Sequence, residues 1–173
     1  MKPNSFYNRG YIIGIIILII SSMAIKAQTP TNFSGKWQYD KANSTADKLE
    51  PDFDGTIIME VIQNAATISF TETYKRAGTK DWKTAADIYK LDGKEQITET
   101  EIGTSKKTAK WSADKKVLTI TNIETQTLDG VLRDFIVKDS YKLDDNGKML
   151  IIERYRKNPV TGETNAKKVY IKK

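Results

Sequence analysis

Cysteine and histidine are both absent from the 173-residue sequence. Without cysteine no disulfide stabilises the chain, so a hydrophobic core must stabilise it alone. Without histidine the Ser-His-Asp and Cys-His nucleophile systems are excluded, together with the usual zinc and copper sites. Only carboxylate, lysine, tyrosine or serine chemistry remains for an enzyme, and no cluster of these residues stands out. We therefore expect a non-catalytic protein that holds no metal and no cofactor.

Long apolar runs are also scarce, and the one that occurs lies near the first residue. Gly10 to Ile25 carries no charge but is only 16 residues long, shorter than the roughly 20 that span a bilayer. Lys2 and Arg9 precede this run, and residues suited to cleavage end at Ala24 and at Ala27. This order of basic, apolar and small residues predicts a signal peptide.

Cleavage after Ala27 would make residues 1–27 the signal peptide and residues 28–173 a single mature domain. The alternative is an uncleaved membrane anchor. We expect the domain to be exported to the periplasm or the outside of the cell, without a membrane span after cleavage. The chain has a net charge of +6, but the signal contains three basic residues and no acid, so the domain keeps only +3. This small charge does not indicate nucleic acid as a partner.

Alternating short strands dominate the sequence after residue 54. Ile68, Phe70 and Tyr74 share one face of their segment, while threonine and serine occupy the other. Two-residue turn signals recur at Asp92-Gly93 and Asn146-Gly147. About ten strands in succession favour an all-β fold, a single antiparallel up-and-down β-barrel of about 8–10 strands, over a sandwich, because closure removes exposed edges. We expect a monomer.

Two other features refine this fold. Ser44 is a good N-cap, and Pro51 limits a helix that begins there to about two turns, so one short helix is predicted after the first strand. A membrane barrel would need an apolar outer belt. The face from Thr67 to Thr73 is instead polar, which argues against a membrane barrel.

The segment Phe33-Ser34-Gly35-Lys36-Trp37, the hairpin series and the final Lys168-Val169-Tyr170-Ile171-Lys172 together resemble the calycins, the superfamily of lipocalins and fatty-acid-binding proteins. The chain is most similar to small secreted bacterial lipocalin-like proteins. The resemblance implies that Gly35 and Trp37 close one end of the barrel. It also implies that Arg154 or Arg156 lies over the Trp37 ring as a cation–π partner.

Fatty-acid-binding proteins end with an Arg-x-Tyr pair that holds the ligand carboxylate. The matching residues are Lys168 and Tyr170, and lysine lacks the bidentate fork of arginine. The resemblance therefore implies a small hydrophobic or amphipathic, fatty-acid-like ligand in the barrel interior. The predicted ligand-binding residues are Lys168, Tyr170, Arg133, Tyr141 and Phe70.

Charged clusters elsewhere have simpler interpretations. Glu95, Glu99 and Glu101 face lysines across a predicted hairpin, and cross-strand pairing on a solvated surface accounts for them better than acid–base catalysis. A second interpretation of the whole chain also stays open. The barrel interior could be filled by side chains, and the protein would then act through its surface or loops on an envelope partner or as an inhibitor.

Overall fold

The computed structural model describes residues 28–45, 53–76, 78–144 and 146–173. The predicted signal peptide lies outside the described residues, as does the part of the predicted helix beyond Thr45. Within the described ranges, no helix has the length and apolar character needed to cross a membrane.

Across the described ranges, ten antiparallel strands form one sheet in which nearly every strand pairs with its sequence neighbours. The strands are β1 (Gly35–Tyr39), β2 (Phe53–Gln63), β3 (Thr67–Arg76), β4 (Trp82–Lys90), β5 (Gln96–Thr100), β6 (Gly103–Trp111), β7 (Leu118–Leu128), β8 (Val131–Leu143), β9 (Met149–Asn158) and β10 (Gly162–Lys172). The spatial order is β4-β3-β2-β1-β10-β9-β8-β7-β6-β5. This meander confirms the all-β, antiparallel up-and-down architecture expected from the sequence.

The sheet curves round without closing, because β4 and β5 lie at its two ends and do not pair with each other. An ion pair bridges this gap by joining β4 to β6, the strand next to β5. The Nζ of Lys107 on β6 lies 2.8 Å from Oδ1 of Asp87 on β4. The structure is therefore an open barrel, with a charged contact where the last row of backbone hydrogen bonds would be.

Apolar and polar residues alternate along the strands, so that one face of each strand points into the barrel. On β7, Leu118 and Ile120 are buried while Thr119 between them is only partly so. The residues buried together form one core that fills one end of the barrel. They include Phe33, Trp37, Ile57, Met59, Val61, Ile68, Phe70, Tyr89, Ala109, Leu118, Ile120, Tyr141, Leu150, Ile152 and Tyr170.

The segment before β1 covers this filled end, which we name the closed end. The Phe33 ring stacks on Trp111 with centroids 5.8 Å apart, and the Trp37 indole N–H donates to the Phe33 carbonyl at 2.9 Å. Gln63 holds the same segment, because its Oε1 accepts from the Phe33 N–H at 3.0 Å and its Nε2 donates to the Thr31 carbonyl at 2.9 Å. The closed end is thus sealed by packing and by satisfied polar groups.

Candidate functional site

A cavity of about 330 Å³ lies inside the barrel beyond the core. Its walls come from inward positions on six strands, β3, β4, β6, β7, β8 and β9. The residues that line it are Phe70, Glu72, Ala85, Asp87, Tyr89, Lys107, Asn122, Glu124, Phe135, Val137, Asp139, Tyr141, Arg154 and Arg156. One space therefore combines aromatic rings with seven ionisable carboxylate, ammonium and guanidinium groups.

Three aromatic rings form the floor of the cavity and separate it from the core. Phe70 lies 4.8 Å from Tyr141 between ring centroids and 6.1 Å from Tyr89 in an edge-to-face arrangement. All three rings belong both to the core and to the cavity wall. A bound molecule would therefore rest on a preformed aromatic surface.

The wall contains a bidentate ion pair between β8 and β9. Arg154 donates from Nε to Oδ1 of Asp139 and from Nη2 to Oδ2, both at 2.7 Å. The two residues are direct cross-strand partners, and Asp139 is only 5% exposed. A fork of this geometry is the strongest type of ion pair that arginine forms.

A second ion pair lies at the gap in the barrel. Lys107 contacts Asp87, and its ammonium also lies 5.5 Å from the centre of the Tyr89 ring. The hydrogen bond to Asp87 raises the pKa of Lys107 above its usual value. The cation thus stays charged and joins β6 to two inward residues of β4.

Tyr170 is fully buried and its hydroxyl points to a carboxylate. The O–H donates to Oε1 of Glu72 at 3.0 Å. Burial, and then the charge of Glu72, raises the pKa of Tyr170 well above its usual value. The phenol therefore remains protonated and acts as a donor to the protein's own carboxylate.

Asn122 lies on the cavity wall, and only the nitrogen of its side-chain amide makes a hydrogen bond within the described residues. Its Nδ2 donates to the Tyr89 hydroxyl at 3.2 Å. Its Oδ1 is buried and has no hydrogen-bond partner among the described residues. A buried amide oxygen of this kind can accept one or two further hydrogen bonds.

Only two of the five predicted ligand-binding residues line the cavity. Phe70 and Tyr141 line the cavity. Lys168 and Tyr170 are buried on the inward face of β10, and neither lines the cavity. Arg133 stands near the start of β8, half-buried, and is also outside the cavity wall.

The predicted covering of Trp37 by an arginine is corrected by the structure. The cation over the indole is Lys172, with Nζ 5.3 Å from the ring centre. Arg154 instead binds Asp139, and Arg156 lines the cavity. Gly35 adjoins this contact, because a Cβ there would approach Cε of Lys172 to 3.3 Å. Lys172 takes this place because it is the direct cross-strand partner of Trp37.

Sequence reasoning missed the polar residues of the wall, including Glu72, Asn122 and Asp139. One signal for Asp139 was present. It shares the period-2 face of β8 with Phe135, Val137 and Tyr141, and an acid on an apolar face needs an inward partner. Its partner Arg154 lies on the next strand and becomes evident only once the register is known.

The buried tyrosines predict a loss of stability at alkaline pH. A tyrosine whose pKa is raised by folding keeps its proton in the native state and loses it in the unfolded state. These tyrosines should therefore leave the free energy of unfolding unchanged below about pH 10, the ordinary tyrosine pKa, and should lower it above that pH. Urea unfolding between pH 8 and 11 measures this.

Tyr170→Phe is the matched variant for this titration, because it removes one buried phenol. The fall in unfolding free energy above about pH 10 should be less steep in this variant than in the wild type. An equal slope in both proteins would contradict the assignment of the raised pKa to Tyr170.

The sequence matches no protein-family model and no curated protein sequence. The chain is similar to several solved structures, two of which are the following. An ileal bile acid-binding protein from zebrafish, complexed with cholic acid, is 18% identical, with a TM-score of 0.49 over 82% of this chain and 98% of its own. Secretory abundant heat soluble protein 4 from Ramazzottius varieornatus is 12% identical, with a TM-score of 0.47 over 85% and 99%.

Proposed function

We propose that this protein binds a small amphipathic molecule in its barrel cavity, without catalysing a reaction on it. The observation that carries this proposal is the cavity of about 330 Å³ with an aromatic floor and polar walls. Ligand sites of proteins combine these features and have volumes of about 300–1,000 Å³. The volume is at the low end of that range, so the ligand is compact.

The packed core limits how far a ligand enters. Phe70, Tyr89 and Tyr141 form the floor, and the apolar side chains beyond them fill the closed end. A fatty-acid-like ligand, as the resemblance implies, would have to fit above this floor. Burial of its apolar surface would supply roughly 25 cal/mol per Å² before the costs of ordering.

Binding is tested by blocking the cavity from one wall. Ala85 lines the cavity, and its neighbour Ala86 lies on the opposite face of β4. We expect a neutral naphthalene fluorophore to bind at one site, with Ala85→Trp weakening it at least tenfold and Ala86→Trp leaving it unchanged. Fluorescence titration measures both, and a series of short fatty acids is tested by displacement. No saturable binding, or equal effects of both variants, would contradict the proposal.

We propose in addition that the domain is exported after cleavage at Ala27. The basic, apolar and small residues of the first 27 positions support this. Mass spectrometry of the protein from the cell envelope and medium should find a chain that begins at Gln28. Ile17→Arg, which places a charge in the apolar run, should leave the full-length chain inside the cell. A full-length chain in the exported fraction would favour an anchor.

A second candidate function is binding of a protein partner through the open end of the barrel. Large apolar side chains are exposed there near the ends of four loops. They are Trp82, Ile102, Val131, Leu132 and Val160. Exposed apolar groups gathered at one end are typical of interaction surfaces. This candidate is favoured if the cavity binds neither the fluorophore nor the fatty acids.

A further inference from the structure

We infer that the cavity selects a neutral, flat, ring-containing molecule that donates a hydrogen bond to Asn122, and that it discriminates against carboxylates. This inference rests on the proposed binding function and names the class of ligand. Three observations support it: the ion pairs of the wall, the arrangement of the aromatic rings, and the buried amide oxygen without a partner among the described residues.

Two of the three cations in the cavity wall, Arg154 and Lys107, already bind carboxylates of the protein. Arg154 makes a bidentate pair with Asp139, and Lys107 makes an ion pair with Asp87. The Arg154–Asp139 pair is buried, so displacing Asp139 is strongly unfavourable, whereas the Lys107–Asp87 pair is partly exposed. An anionic ligand at Arg154 or Lys107 would have to displace one of these carboxylates.

Tyr170 also binds a carboxylate of the protein. Its hydroxyl donates to Glu72, so the residue that matches the Tyr of the Arg-x-Tyr pair already has a carboxylate acceptor. The cavity wall as a whole carries four carboxylates and three cations. The field in the cavity therefore gives no net attraction to an anion, and a neutral molecule avoids the cost of desolvating a charge.

The aromatic floor favours a flat ring over a flexible chain. The rings of Phe70 and Tyr141 pack against each other and line the cavity, and Phe135 and Val137 line it as well. Aromatic pairs gain stabilisation beyond the area that they bury. A rigid ring system also loses less conformational freedom on binding than an alkyl chain does.

Asn122 supplies the polar contact that orients the ring. Its Oδ1 is buried on the cavity wall without a partner in the described part of the chain, and an unsatisfied buried acceptor is unfavourable. A ligand O–H or N–H that reaches this oxygen removes that cost. The Nδ2 atom of the same amide donates to the Tyr89 hydroxyl. This hydrogen bond fixes the orientation of the amide and therefore the position of its oxygen.

Four ligands with the same ring system test the inference: 2-naphthol, 2-naphthamide, 2-methylnaphthalene and 2-naphthoate. The first two donate hydrogen bonds, the third cannot, and the fourth is an anion at pH 7. We expect the two donors to bind about three- to tenfold more tightly than 2-methylnaphthalene. 2-Naphthoate should bind at least tenfold more weakly than 2-naphthamide. Calorimetry or fluorescence titration measures the four dissociation constants.

Two substitutions at position 122 separate the hydrogen bond from general packing. Asn122→Leu should abolish the preference for 2-naphthol over 2-methylnaphthalene, and Asn122→Asp, which keeps an acceptor, should retain it. Thr121→Val is the control, because Thr121 lies on the opposite face of β7. If Asn122→Leu fails to fold, Asn122→Asp and the wild-type ligand series still test whether the cavity prefers a hydrogen-bond donor.

The outcomes distinguish this inference from the proposed function. Failure of all four ligands to bind contradicts the binding function itself. Binding in which 2-naphthoate is the tightest, or in which Asn122→Leu keeps the preference for 2-naphthol, leaves the binding function in place and overturns the inference. Tight binding of the two donors, lost on Asn122→Leu, supports it.

Discussion

Replacing Asp139 by alanine is expected to lower the free energy of unfolding by about 3–5 kcal/mol. The carboxylate is buried and holds Arg154 by two hydrogen bonds of 2.7 Å. Its removal takes away the carboxylate that accepts both of these hydrogen bonds from the guanidinium in the barrel wall. Urea unfolding at pH 7, followed by circular dichroism, measures the change.

The same two strands offer a matched control. Lys142 on β8 and Glu153 on β9 form an ion pair of 2.6 Å at the exposed surface. Exposed pairs contribute about 0–1 kcal/mol, so Glu153→Gln should have a small effect. If Asp139→Ala costs no more than Glu153→Gln, the buried pair does not have the role given to it.

A double substitution shows whether the stability loss comes from losing the ion pair or from leaving one of its charges unbalanced. Replacing both partners by apolar residues, as in Asp139→Leu with Arg154→Met, removes both buried charges at once. Such replacements are often neutral or stabilising. We expect the double variant to be more stable than Asp139→Ala. A double variant that is less stable than the single one would show that the pair itself is net stabilising.

The second large effect is expected at the closed end. Trp37→Ala should lower the free energy of unfolding by about 3–5 kcal/mol, because it opens a cavity in a packed core. Trp37 is fully buried, donates to the Phe33 carbonyl and lies beneath Lys172. Denaturant unfolding measures this loss.

Trp82 provides a control of the same residue type. It stands at the start of β4 and is 51% exposed, so Trp82→Ala should change stability by no more than about 0.5 kcal/mol. Trp37→Phe should fall between these variants, because it keeps an aromatic ring but loses the indole N–H. Equal losses for Trp37→Ala and Trp82→Ala would contradict the assigned closed-end packing.

The candidate site could be predicted from the sequence only in part. Phe70 and Tyr141 were recognisable because they stand at inward positions of clearly alternating strands, and both line the cavity. Lys168 and Tyr170 were chosen from the resemblance at the last strand. The structure places both on the inward face but outside the cavity wall, where Tyr170 contacts Glu72.

The partners of the charged residues could not be predicted. Lys107 is one of the lysines that the sequence places opposite Glu95, Glu99 and Glu101 on a solvated hairpin, yet its ammonium contacts Asp87 across the gap of the barrel. The two residues are 20 positions apart and lie on strands that share no ladder. Their contact depends on how the sheet curves, which local alternation does not specify.

The strand series, the turns between strands and the inward side of each strand follow from the amino-acid order. These features are local, because residue alternation and turn chemistry act over only a few positions. The filled end, the remaining cavity of about 330 Å³ and the bonds of Arg154 to Asp139 and of Tyr170 to Glu72 became evident only in the folded chain. These features depend on sheet curvature and on side chains far apart in the chain.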